Sequence, residues 1–139
     1  MRESIEQLIN KLLHESEQME EEVKQKSDLK NLTTRQLTCI ELIHEMDNPT
    51  LSELAKELRI TKPSASVMID RLAENGYVSK IKSDSDRRSA HMHLTQKGVK
   101  AAKLHVEVHH AFANNLVEGF TESETDILLV LLNKALKTI

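Results

Sequence analysis

The sequence predicts a mainly α-helical protein with one small β-hairpin near its middle. Apolar residues recur at three- and four-residue spacing through most of the chain, which is typical of helices with one buried face. Only three glycines and two prolines occur among 139 residues, so few positions favour turns. Residues 77–82 and 90–94 differ, because they read as two short strands around a polar loop. We expect these elements to form one compact domain.

The first predicted helix covers residues 4–26 and is amphipathic. An acidic face around Glu20, Glu21 and Glu22 is expected to lie opposite its apolar stripe. A long apolar stripe near a chain end needs a covering surface, and a second subunit is one candidate. The stripe consists of Ile5, Leu8, Ile9, Leu12, Met19 and Val23.

Capping residues mark the next three helices. Thr33 and Gln36 form a capping box that opens a helix running to about Asp47. Thr50 and Glu53 form a second box, which opens a short helix. Thr61 caps a third helix that ends at Asn75-Gly76, and this helix tolerates a proline in its first turn. Two short helices joined by a tight turn are therefore expected before the hairpin.

After the hairpin the helical pattern returns. It runs from Gln96 to about Val117, and a third capping box at Thr121 and Glu124 opens the last helix. The apolar residues of this last helix are Ile127, Leu128, Leu131, Leu132 and Leu136.

Two short helices followed by a two-stranded hairpin outline a winged helix-turn-helix, in which the second helix enters the major groove of DNA. Small hydroxyl side chains near the start of that helix would let it approach the duplex closely, and its N-terminal amides attract phosphate. A small polar helix surface with no ligand is the alternative interpretation. The candidate contact residues are Thr61, Lys62, Ser64, Ser66 and Arg71.

Charge is distributed unevenly along the chain. Residues 51–103 carry eleven Lys and Arg against six Asp and Glu, whereas residues 1–50 and 104–139 are both acidic. A basic segment of this kind suits a polyanion, although it also occurs as an ordinary solvated face.

The loop of the hairpin contains Asp86-Arg87-Arg88. An arginine at a hairpin tip can enter the minor groove, where the negative potential of narrow A·T-rich DNA attracts it. An aspartate two residues earlier could hold that guanidinium in place. The alternative is a solvated turn whose charges neutralise one another.

Several segments together resemble the MarR family of transcriptional regulators. The resemblance rests on residues 32–36, 51–55 and 71–78, and on residues 84–88 followed by 93–98. It covers essentially the whole chain, and the loop motif in this order is specific.

The resemblance implies a homodimer with two winged lobes on a palindromic operator. Residues of about 1–30 and 96–139 would form the dimerisation helices, and about 32–95 the DNA-binding lobe. In this comparison the segment from Lys62 to Arg71 resembles the recognition helix, Arg88 the minor-groove arginine and Asp86 its buttress. Members of the family respond to signals, so we expect a small molecule or another signal to release the protein from DNA. No residue identifies this signal as an aromatic acid, an acyl carrier or a metal.

Two further residue sets suggest signals. His105 and His109 have the spacing of two metal ligands on one helix face, but no complete ligand set accompanies them, so solvated or interfacial histidines are favoured. Cys39, the one cysteine, would suit a peroxide sensor, but its place in an apolar stripe with Leu42, Ile43 and Met46 favours a core role.

Other function classes are less well supported. A winged-helix module that binds only protein would have no need of Arg87, Arg88, Lys62 and Arg71. An enzyme would need a phosphate loop, a nucleophile motif or a metal triad, and none is recognisable in the sequence. We therefore expect a cytoplasmic DNA-binding protein with no enzymatic activity, no cofactor and no membrane span.

Overall fold

The computed structural model describes residues 2–82 and 89–139. The helices are α1 (Ile5–Gln25), α2 (Thr34–Met46), α3 (Leu51–Leu58), α4 (Lys62–Glu74), α5 (Gln96–Val117) and α6 (Glu122–Leu136). Strands β1 (Val78–Lys82) and β2 (Ala90–Leu94) form one antiparallel hairpin. The mainly α-helical fold with a hairpin is therefore confirmed. A short 3-10 turn at Asp28–Asn31, which the sequence analysis did not predict, joins α1 to α2.

Local hydrogen bonds fix most of the helix starts. Full capping boxes form at Ser4, Thr33 and Thr121, and the last two were predicted. At Thr50 only half of the predicted box forms: the Thr50 hydroxyl accepts from the Glu53 amide at 3.2 Å. The Glu53 carboxylate accepts from that same hydroxyl at 3.0 Å and so does not reach back to the Thr50 amide.

The chain divides into two compact units, Met1–Val108 and His109–Ile139. The first holds α1 to α4, the hairpin and residues 96–108 of α5, around a core of buried apolar residues from all these elements except α1. Members of this core include Leu37, Ile40, Leu54, Ile69 and Met92. The second unit holds the end of α5 together with α6, and no residue of α6 is buried.

The predicted acidic face of α1 is wrong at Glu20. Glu20 is buried, whereas Glu21 and Glu22 are exposed. Its carboxylate lies 3.7 Å from His105 Nε2 of α5, and His105 Nδ1 lies 2.6 Å from the carboxylate of Glu41 on α2. Burial of Glu20 is tolerated because the imidazole lies between the two carboxylates. The same contacts make His105 a buried residue, which contradicts the solvated or interfacial position expected for it.

Close packing at the start of α5 requires Gly98. A Cβ atom at this buried position would overlap the backbone carbonyl oxygen of Tyr77. That oxygen already accepts from the Thr95 amide at 3.1 Å, so the backbone is held there. Any side chain at residue 98 must therefore push α5 away from the residue that precedes the hairpin.

We expect Gly98→Ala to lower the free energy of unfolding by about 3 kcal/mol, because the clash is with backbone and cannot be relieved by a rotamer change. Gly119→Ala is the matched control, since a methyl at Gly119 would meet no atom within 4 Å. Denaturant titrations at equal protomer concentration measure both variants. Equal stability of the two variants would show that Gly98 is not a packing constraint.

Candidate nucleic-acid interface

The helix-turn-helix is formed by α3, the turn at Arg59 and Ile60, and α4. Arg59 ends α3 in the left-handed conformation, with φ of 55°. The Ile60 amide donates to the Ala55 carbonyl at 3.0 Å, which closes the turn. One face of α4 is buried through Ala65, Ile69 and Leu72, so its opposite face points outward.

The N-terminus of α4 is capped by Thr61. Its hydroxyl accepts from the Ser64 amide at 3.2 Å and donates to the Ser64 hydroxyl at 2.9 Å. Two of the predicted contact residues therefore bind each other in this structure. They define the end of the helix that carries the positive dipole charge and the free amides.

The outward face of α4 presents four of the five described candidate residues. Thr61, Lys62, Ser64 and Arg71 are exposed, and Ser66 is half-buried. The remaining three candidates, Asp86, Arg87 and Arg88, lie outside the described residues.

The outward face also carries Asp70, which forms an ion pair with Lys80 of β1. Both side chains are partly exposed, so the pair contributes little to stability. Its effect is positional, because it ties the recognition helix to the wing. Lys80 was not predicted as a contact residue, although an outward-facing lysine on the strand that follows α4 is a detectable signal.

The base of the wing is attached to the turn between α2 and α3. The Met92 amide donates to the Pro49 carbonyl at 2.8 Å, and His91 Nδ1 lies 2.9 Å from the Asn48 carbonyl oxygen. Asp47 and Asn48 both have positive φ, which turns this segment sharply towards β2. The hairpin therefore has a fixed position relative to α3 and α4.

A cleft of about 230 Å³ lies between α3, the start of α4 and the hairpin. Two lysines, Lys62 and Lys80, lie on its wall together with the hydroxyls of Thr50 and Ser52. Ammonium and hydroxyl donors of this kind suit the phosphate and sugar groups of a nucleic acid backbone. Neither Thr50 nor Ser52 was predicted as a contact residue. Each already had a structural explanation, Thr50 as the cap of α3 and Ser52 as a residue of its first turn.

The other end of the hairpin is attached to α5. The Thr95 hydroxyl donates to the Gly76 carbonyl at 2.6 Å, and Lys97 donates to the Asn75 carbonyl at 2.9 Å. Lys97 also lies over the Tyr77 ring, 4.4 Å from its centroid. Lys97 of α5 therefore holds the C-terminal end of the recognition helix.

Cys39 is fully buried in the core, and burial raises the pKa of its thiol to about 12. Since the thiolate is the reactive form, a thiol in this environment is a poor peroxide sensor. The core role predicted for Cys39 agrees with this position.

His105 and His109 lie one helical turn apart on α5, His105 buried and His109 exposed. Nothing in the structure tests metal binding, so the metal hypothesis stays a prediction. In the part of the chain that the structure describes, no helix is both long and apolar enough to cross a membrane.

Comparisons with known proteins give the same picture. Residues 32–90 match the model of the MarR family. The HTH-type transcriptional regulator YkoM of Bacillus subtilis is 27% identical over 100 residues, 72% of this chain, and YsmB of the same species is 24% identical over 96 residues, 69% of this chain. The matched parts span 65% and 66% of the lengths of these two relatives.

Among solved structures, Streptococcus pneumoniae FabT in complex with DNA is similar over nearly the whole chain. It is 25% identical, with a TM-score of 0.88, and the match covers 96% of this chain and 94% of that one.

Proposed function

Because this chain is a winged-helix protein of the MarR family, we propose that it regulates transcription by binding double-stranded DNA in a sequence-specific manner, as a homodimer on a palindromic operator. Repression is the expected direction. The observation that carries the proposal is the exposed polar face of α4, which presents Lys62 and Arg71 and is attached through Asp70 and Lys80 to the hairpin. We infer that the protein acts in the cytoplasm.

The geometry supports two kinds of DNA contact, base-specific contacts from α4 and non-specific contacts with the phosphate backbone. The outward face of α4 would read bases in the major groove, where base edges carry distinct donor and acceptor patterns. Lys62 and Lys80 beside the 230 Å³ cleft are placed to neutralise phosphates on the adjoining backbone. Arg88, by its position in the sequence, would reach the minor groove next to them.

Exposed apolar residues support the homodimer. On α1, Ile5, Leu8, Ile9, Leu12 and Leu13 are exposed. On α6, Ile127, Leu129, Val130, Leu131, Leu132 and Leu136 are exposed. Apolar sets of this extent are rarely left uncovered in a monomer, and a second copy of the chain offers matching sets.

A candidate effector site lies beside α5 in the first unit. A cavity of about 370 Å³ is lined by Tyr77, Leu29 and Leu104, and also by Lys26, Lys97 and Lys100. Its volume is in the range of small-molecule sites, and three lysines against one acidic lining residue, Asp28, favour an anionic ligand. Because Lys97 also holds the end of α4, a ligand that engages it could shift the recognition helix.

Selection from a library of random duplexes tests the function. We expect the protein to enrich a palindrome whose half-sites lie about one helical turn apart, roughly 34 Å. Failure to enrich any sequence, at low as well as moderate salt, would contradict the proposal and would favour a protein-binding module.

On the selected palindrome, Arg88→Ala is expected to lower affinity at least tenfold, because a charge-assisted hydrogen bond is worth about 1.5–3 kcal/mol. Arg2→Ala removes the same side chain near the N-terminus and is the matched control. Fluorescence anisotropy gives both affinities, and denaturation curves show whether the variants remain folded. Unchanged affinity for Arg88→Ala would remove the minor-groove contact from the proposal.

A further inference from the structure

Val67 is an exposed apolar side chain at the centre of the outward face of α4. It is 55% exposed. Within the described part of the lobe, residues 32–82 and 89–95, the only other large hydrophobic side chain that is exposed is Ile81 of the hairpin. The other exposed large apolar residues lie on α1, α5 and α6, in the turn before α6 (Phe120) and after α6 (Ile139). Val67 therefore cannot be explained by the dimerisation surfaces.

The neighbours of Val67 are the proposed DNA contacts. One turn earlier on the same face are Pro63 and Ser64, and one turn later are Asp70 and Arg71, all exposed. The carboxylate of Asp70 is neutralised by Lys80. Val67 thus forms a small apolar spot inside a polar face that carries two cations, Lys62 and Arg71, and the carboxylate of Glu74.

We propose that Val67 reads the C5-methyl group of a thymine in the major groove, an inference that rests on the proposed DNA binding. Thymine is the one base that presents a methyl group on this edge, and an apolar side chain is its complement. A valine side chain is short and stiff, so it fits at the middle of a helix that lies close to the groove floor.

Charge favours DNA over a protein partner as the occupant of this face. Lys62 and Arg71 flank Val67 on the helix. An apolar protein surface would leave these cations without partners, whereas the backbone on either side of the groove supplies phosphates.

The test uses the palindrome selected by the wild-type protein. Each thymine of one half-site is replaced in turn by deoxyuridine, which removes only the methyl group. We expect about a three- to fivefold loss of affinity at one thymine in the half-site, because one buried methyl contributes about 0.8 kcal/mol.

Val67→Ala is expected to bind the thymine and deoxyuridine duplexes equally at that position. Because Val67 is exposed and alanine favours helix, this variant should remain folded. Val106→Ala makes the same truncation at a 43% exposed valine of α5 and should retain the discrimination.

Three results would overturn the inference. The first is a wild-type protein that binds thymine and deoxyuridine duplexes equally at every position. The second is a Val67→Ala variant that still binds the thymine duplex more tightly. The third is a Val106→Ala variant that loses this preference as fully as Val67→Ala does. If the wild-type protein enriches no sequence at all, the proposed function itself fails. The wild-type measurement on deoxyuridine duplexes needs no variant, so equal affinity at every position overturns the inference even if Val67→Ala misfolds.

Discussion

Leu131→Glu in α6 is expected to convert the homodimer into folded monomers and to weaken palindrome binding at least 100-fold. Leu131 is 57% exposed in the single chain, so a glutamate there costs the monomer little. In the dimer the same carboxylate would be buried against a second apolar surface without a partner.

The loss of DNA affinity follows from linkage of the two lobes. A dimer that has bound one half-site presents its second lobe at high effective concentration, which commonly raises affinity by 10²–10⁴. A monomer loses this gain but keeps its contacts with a single half-site. Its affinity for an isolated half-site should therefore be close to that of the wild-type protein.

Sedimentation equilibrium and anisotropy on the same samples measure this prediction. Lys137→Glu introduces a carboxylate near the end of α6, outside the apolar set, and should leave both mass and affinity unchanged. A Leu131→Glu protein that stays dimeric would place the dimer interface elsewhere. A monomeric variant with wild-type affinity would show that dimerisation does not contribute to operator binding.

His105→Leu is the second prediction with a large effect, a loss of about 3 kcal/mol in the free energy of unfolding. The leucine fills similar space but leaves the buried carboxylate of Glu20 and the partly buried carboxylate of Glu41 without the imidazole that lies between them. Removal of one partner from a buried ion pair is costly because the remaining charge stays desolvated.

A second substitution tests this explanation. Glu41→Gln in the His105→Leu background removes one of the two buried charges, so it should recover part of the lost stability. His110→Leu, at an exposed histidine of the same helix, is the control and should change stability by less than about 0.5 kcal/mol. If the double variant is less stable than His105→Leu, buried charge is not the cause of the loss.

These contacts also link parts of the first unit that differ in proposed role. Glu20 lies on α1, His105 on α5 and Glu41 on α2, so the cluster joins two dimerisation helices to the lobe that binds DNA. A change at the dimer surface therefore has a direct physical route to the lobe. In some proteins, buried polar contacts fix the register of the helices they join.

Helix boundaries were predictable because their causes are local. Thr33 with Gln36, and Thr121 with Glu124, satisfy the helix amides within three residues, and both boxes form as predicted. Gly76, which follows α4, has a φ of 83°. Glycine adopts a positive φ without steric cost, so its presence in the sequence already marks the end of this helical segment.

Features that depend on distant residues were not predictable. Glu20 was assigned to a solvated face because its neighbours are glutamates, while the residue that buries it, His105, lies far along the chain. The contact between Asp70 and Lys80 likewise depends on where the hairpin turns back. Val67 was not predicted as a contact residue, and its exposure follows from the packing of α4.

The central claim is sequence-specific binding of double-stranded DNA, and a ratio of two affinities tests it most directly. Anisotropy at about 0.15 M salt compares the selected palindrome with a duplex of the same composition in which both half-sites are scrambled. We expect the palindrome to bind at least about 10³-fold more tightly, because base readout adds to the phosphate contacts that both duplexes share. Equal affinities for the two duplexes would contradict the account, since binding would then rest on charge alone.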